Sequence, residues 1–105
     1  MFASNTLGQI LRDYRESNGL LLRQVAAALE IDTALLSKIE RDERKPNKDQ
    51  VKAFAKFYKV DADGLLLAWL SDKIVYDLQN EDLAKEVLKA AKKKINTIKK
   101  RKTTK

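Results

Sequence analysis

The chain has 105 residues, with 22 Lys and Arg against 15 Asp and Glu for a formal charge of +7, and it contains neither cysteine nor histidine. This length holds one domain and at most an extension. Disulfides and thiolate metal sites are excluded and the commonest general base and metal ligand are missing, so no catalytic residue, metal or cofactor is predicted. No apolar run reaches the ~18 residues of a membrane span and no charged-then-apolar leader is present, which predicts a cytoplasmic protein with no membrane partner. The charge is unevenly placed: residues 1–79 hold 12 basic and 12 acidic groups, whereas residues 80–105 hold 10 and 3. The whole excess sits in the C-terminal quarter, so any attraction of the rest of the chain for phosphate must come from local placement of charge.

Leu7, Ile10, Leu11 and Tyr14 recur at helical spacing and predict a first helix from Ser4 or Asn5 to Asn18. Ser4, Asn5 and Thr6 offer an N-cap, and Asn18-Gly19 offers the left-handed residue on which a helix ends. Leu20-Leu21-Leu22 lead into a second helix with Val25, Ala26 and Leu29 on one side, and small Ala26 allows a close crossing. After Glu30-Ile31-Asp32, a third helix from Thr33 to Arg41 turns Leu36 and Ile39 inward and Thr33, Ala34, Ser37 and Lys38 outward. Ile31 can plug the corner, and Asp32 or Thr33 can cap the third helix. Gln24 to Glu40 therefore reads as a helix-turn-helix, although any helical hairpin of a core could show this periodicity.

Arg41, Arg44, Lys45 and Lys48 alternate with Asp42, Glu43 and Asp49, a pattern usual for a solvated face. Lys45-Pro46-Asn47 immediately precedes a fourth helix, Lys48 to Lys59, and Asn47 with Gln50 makes a reciprocal cap. A helix start beside Arg44 and Lys45 suits a phosphate, because free N–H groups and the helix dipole favour an anion. Val51, Phe54, Ala55 and Tyr58 face the core from this helix. A fifth helix, Asp61 to Leu78, carries Leu65, Leu66, Trp69, Leu70 and Ile74, with Leu67, Val75, Tyr76 and Leu78 widening its apolar stripe beyond the needs of one small core. Gln79-Asn80 marks a break before a sixth helix, Glu81 to about Lys99, in which Ala84, Leu88, Ala91, Ile95 and Ile98 form a short heptad seam. Residues 99–105 are basic without an apolar anchor and predict a disordered tail.

The run Leu36-Ser37-Lys38-Ile39-Glu40-Arg41-Asp42-Glu43-Arg44-Lys45-Pro46, preceded by Val25-Ala-Ala-Ala-Leu29, resembles the Xre family of Cro and phage-repressor DNA-binding domains. The resemblance covers about Leu7 to Leu70. It implies an all-α, five-helix repressor-like helix-turn-helix domain over residues 1–78, with an additional C-terminal helix over 79–98 and the basic tail over 99–105. It further implies a third helix in the DNA major groove, with Lys38 at base edges and Thr33, Ala34 and Ser37 as further candidates; otherwise these are ordinary exposed positions. Phosphate contacts are expected from Arg23, Gln24, Arg41, Arg44, Lys45 and Asn47, and an ion pair is expected between Arg15 and Glu40. The chain departs from the family at Leu21 and Leu22, where a Ser or Thr cap and a phosphate-binding Gln are usual. It departs again at Glu30 and Asp42, where glycine is usual.

The implied function is a transcriptional regulator that binds double-stranded DNA as a homodimer on a palindromic operator, by promoter occlusion or recruitment of RNA polymerase. Its dimer contact would come from the fifth helix and possibly the C-terminal one. The alternative is an antitoxin-type protein that neutralises a toxin partner and autoregulates its operon.

Overall fold

Thr6 starts the first helix, α1 (Leu7–Ser17), because its backbone is extended and its hydroxyl accepts from the Gln9 N–H at 3.2 Å. In the computed structural model, which describes residues 5–103, five more helices follow: α2 (Leu22–Leu29), α3 (Thr33–Glu40), α4 (Lys48–Tyr58), α5 (Ala62–Leu78) and α6 (Ala84–Thr103). There is no strand among the described residues. The chain divides into two units, one ending at Lys73 and the other beginning at Ile74, so the division falls inside α5.

The first unit has one core. Leu7, Ile10 and Leu11 of α1 meet Val25 and Ala26 of α2, Leu36 and Ile39 of α3, Val51, Phe54 and Ala55 of α4, and Leu65 and Ala68 of α5. Each helix contributes a stripe at helical spacing, and Ile31 packs against the cluster from the corner between α2 and α3.

Four of the helices end alike. At the end of α1 the N–H of Gly19 (φ 66°) reaches Glu16 O and that of Leu20 reaches Arg15 O, each at 3.0 Å. Glu30, Asp42 and Lys59 repeat this left-handed turn with φ of 56°, 62° and 59°. In each case the next residue bonds back across the last turn, as Ile31 N does to Ala26 O and Val60 N to Ala55 O, both at 3.0 Å. A non-glycine residue there costs roughly 1 kcal/mol, a cost that the hydrogen bonds closing the helix end offset. At α3 the turn that joins it to α2 is only Glu30-Ile31-Asp32.

In the second unit, α6 begins at Ala84 and not Glu81, and it continues through Thr103. The basic run expected to be disordered from residue 99 is thus helical to residue 103; residues 104 and 105 lie outside the described residues, as does Ser4 among the expected caps. Lysine and arginine have nearly the helix propensity of leucine, and cations at a helix C-terminus oppose its negative dipole end. No helix among the described residues is long and apolar enough to cross a membrane.

Candidate nucleic-acid interface

The outward face of α3 is formed by Thr33, Ala34 and Lys38, all exposed, and Ser37, half-buried; the opposite face carries buried Leu36, Ile39 and Glu40. Asp32 occupies the N-cap position with extended backbone, but its side chain makes no capping hydrogen bond. The helix therefore owes its placement to its buried side and its C-terminal end.

That end is held from α1. The Arg15 guanidinium grips Glu40 through Nε at 2.9 and 3.1 Å and Nη2 at 2.9 Å, while Nη1 donates to Leu20 O at 3.0 Å. Both side chains are largely out of solvent, at 13% and 4% exposure. The hydrogen bond to Glu40 outweighs burial and raises the Arg15 pKa above its ordinary value. Beside the pair, the buried Tyr58 hydroxyl has no hydrogen-bond partner, and burial followed by the Glu40 charge pushes its pKa up to about 12.

A second clasp joins the start of α1 to the end of α3. Asp42 accepts from the Gly8 N–H at 3.1 Å and from the Thr6 hydroxyl at 2.7 Å, and Asp72 of α5 accepts from the Leu7 N–H at 2.8 Å. With the Thr6 hydroxyl taking Gln9 N–H, all three N–H groups of the first turn have side-chain acceptors from separate parts of the chain. Gly8 is required here: a Cβ would lie 2.5 Å from both Ile39 O and Asp42 Oδ1. Asp42 is thus more than a residue that tolerates a left-handed backbone, since its carboxylate completes a helix N-terminus 34 positions away.

The loop from α3 to α4 is pinned at both ends. Glu43 N–H and Arg44 N–H both reach Lys38 O, at 2.8 and 3.4 Å. At the other end buried Pro46 accepts from the Trp69 indole at 2.8 Å, and Lys73 Nζ lies 3.5 Å from the Trp69 ring centroid. Trp69 carries only an apolar signal in its stripe, and no local pattern in the sequence signals its bond to Pro46. Between these pins, Arg44 and Lys45 are exposed. Asn47 then caps α4 reciprocally with Gln50, its Oδ1 accepting from Gln50 N–H at 2.8 Å and Gln50 Oε1 accepting from Asn47 N–H at 2.9 Å. The box uses those two donors and leaves the N–H groups of Lys48 and Asp49 at the helix mouth.

Two of the other expected phosphate ligands are engaged within the chain. Arg41 donates to Ser37 Oγ at 2.7 Å and pairs with Glu43 at 2.9 Å, which ties a candidate base-reading residue to a candidate phosphate clamp. The Arg41–Glu43 pair is on the surface, so salt and a competing anion can displace it. Gln24 folds back, its Oε1 accepting from Leu21 N–H at 2.8 Å. Leu21 has no side-chain oxygen to return the bond, so α2 is half-capped, with Gln24 Nε2 and exposed Arg23 at its mouth. Leu21 itself is 47% exposed.

The structure therefore presents an outward face on α3, and at the starts of α2 and α4 it presents N–H donors and exposed cations. No curated protein matches the chain. A family model described as a helix-turn-helix domain, the hallmark of DNA-binding regulators, matches residues 6–69 and spans α1 to the middle of α5. The chain therefore belongs to the helix-turn-helix domain family.

Proposed function

We propose that the protein is a sequence-specific, double-stranded DNA-binding transcriptional regulator of the Xre type, with α3 as the reading helix. The observation that carries this is the outward face of exposed Thr33, Ala34 and Lys38 with half-buried Ser37, set on a helix whose far end is clasped by Arg15 and Asp42. Lys38 reaches guanine O6 and N7, Ala34 meets a thymine methyl, and Thr33 and Ser37 exchange hydrogen bonds with base edges or phosphate. Arg44 and Lys45, with the open α4 donors, hold one phosphate; Arg23 and Gln24 hold another at α2. Arg41 joins them by exchanging Glu43 for the DNA backbone.

The regulator acts as a homodimer on a palindromic operator, with half-sites about 34 Å apart or a multiple of that. Support for the dimer comes from α5, where Leu67 and Leu70 are 69% and 51% exposed. A second reading, an antitoxin-type protein that neutralises a partner and autoregulates its operon, draws on α6, which lies outside the matched residues.

Fluorescence anisotropy with DNA from upstream of its own gene, beside a scrambled duplex at about 150 mM salt, tests the main reading. Preference for the natural sequence by about a thousandfold supports it. Lys38→Ala then relaxes discrimination at one position of each half-site, whereas Lys45→Ala weakens all duplexes alike and reduces the salt slope. Equal binding of the two duplexes, or unchanged base preference in Lys38→Ala, overturns the assignment of α3.

A further inference from the structure

The seam of α6 has a feature that the DNA-binding reading does not use. Ala84, Leu88, Ala91, Ile95 and Ile98 step by four, three, four and three residues, so they line one side of a helix in heptad register. Leu88, Ile95 and Ile98 are 47%, 52% and 51% exposed, and Val87 beside them is 42% exposed. An apolar stripe of this kind is the contact surface of a helix that packs on another helix.

The flanks of the stripe select what can pack there. Lys85 and Lys92 follow the seam residues Ala84 and Ala91, and Lys94 precedes Ile95, so exposed lysines border the seam on both sides. The register continues with Lys99 and Arg101 at equivalent positions, and the only acid within α6, Glu86, lies on its outer side. In a two-helix seam the flanking positions of one helix face those of the other. A second copy of α6 therefore sets lysine against lysine in either a parallel or an antiparallel pairing, which is repulsive. A nucleic acid satisfies the lysines but leaves Leu88, Ile95 and Ile98 in water.

From this stripe and its flanks we infer that α6 docks an amphipathic helix of another protein, apolar at its seam and lined on both sides by Glu or Asp. This is independent of the reading assigned to α3 and concerns a different surface.

The test uses the full chain and three labelled synthetic peptides of about three heptads. One carries Ile and Leu at the seam with Glu at the flanks, the second has Lys at the flanks, and the third is a scramble of the first. Anisotropy is expected to show the acidic heptad peptide binding at least about tenfold tighter than either of the others. The combined substitution Lys85→Glu, Lys92→Glu and Lys94→Glu leaves the seam intact and reverses the preference, while Ile95→Asp abolishes binding of all three peptides. Equal binding of the scrambled peptide overturns the proposal, as does a preference that survives charge reversal. It is equally overturned if sedimentation finds a dimer that Ile95→Asp dissociates, or if charge reversal weakens DNA binding and leaves peptide binding unchanged. Failure of this test leaves the Lys38→Ala measurement standing, so the two readings fail separately.

Discussion

The two units of the chain are built on opposite terms. Residues 1–73 carry 12 basic and 11 acidic groups and contain every fully buried apolar side chain among the described residues; residues 74–105 carry 10 and 4 and contain none. In the first unit side chains close the starts of α1 and α4, and left-handed turns close the ends of α1 to α4. In the second a 20-residue helix keeps its apolar stripe in contact with water. Propensity alone gives only marginal stability to an isolated helix of that length. The first unit is thus specified by its own contacts, whereas α6 has helix-forming residues and a seam in want of a partner.

Native-state hydrogen exchange probes this difference most directly and is expected to give the largest effect. Amides of α2, α3 and α4 exchange by near-global unfolding, while those of α6 exchange at least about a thousandfold faster, through local opening. Comparable protection in α6 would mean that the chain already covers its seam, and the contrast would fail.

Within the first unit, the Arg15–Glu40 clasp carries the next largest effect. Arg15→Met leaves Glu40, 4% exposed, without its partner and strips a donor from Leu20 O. Removing one member of a buried ion pair costs about 3 kcal/mol, and urea denaturation checks the loss. DNA affinity should fall with it, because the same clasp positions α3.

Gly8→Ala follows. The added methyl meets Ile39 O and Asp42 Oδ1 at 2.5 Å, so α1 must move away from the end of α3. Overpacking of this kind costs about 2 kcal/mol, visible as a lower thermal midpoint. A variant as stable as the parent would show that the clasp at Asp42 is loose.

What the sequence made legible in this comparison was local. Thr6, Gly19 and the Asn47–Gln50 box are signals within three or four residues, and the structure has the caps and turns at those positions, whereas the turn at Glu30 was implied by the glycine usual there in the resembled family. The Arg15–Glu40 pair was reached only through the family resemblance, since 25 residues separate the partners and no periodicity links them. The bonds from Leu7 to Asp72, from Gly8 to Asp42 and from Trp69 to Pro46 were missed for the same reason, spanning 65, 34 and 23 positions. Gln24 and Arg41 were read as open to DNA, whereas a short side-chain contact engages each of them within the chain. The end of α6 was misjudged because a run of lysines without apolar anchors reads as a tail, and helix propensity is indifferent to the anchors.

The smallest effect concerns Asp72, where one of those missed contacts meets an energetic cost. Burial raises its pKa and the Leu7 N–H lowers it; Asp42 adds a raising influence and Lys45 a lowering one, and the net direction is upward. The folded state thus holds the Asp72 proton more tightly than the unfolded chain does. This group's contribution to stability is fully present below the unfolded value of about 3.9 and is lost as pH rises through the raised folded value. Asp72→Asn keeps an oxygen to accept from Leu7 N–H but carries no charge to desolvate. The variant is therefore expected to be slightly more stable than the parent at pH 7, with the gap closing as pH falls toward 3. Urea midpoints measured at the two pH values decide it. If Asp72→Asn is instead less stable at pH 7 and the deficit closes on acidification, the carboxylate's attraction to the α1 N-terminus outweighs its burial, and this clasp would be of the same kind as Arg15–Glu40, a charge held because its partner more than offsets the loss of water.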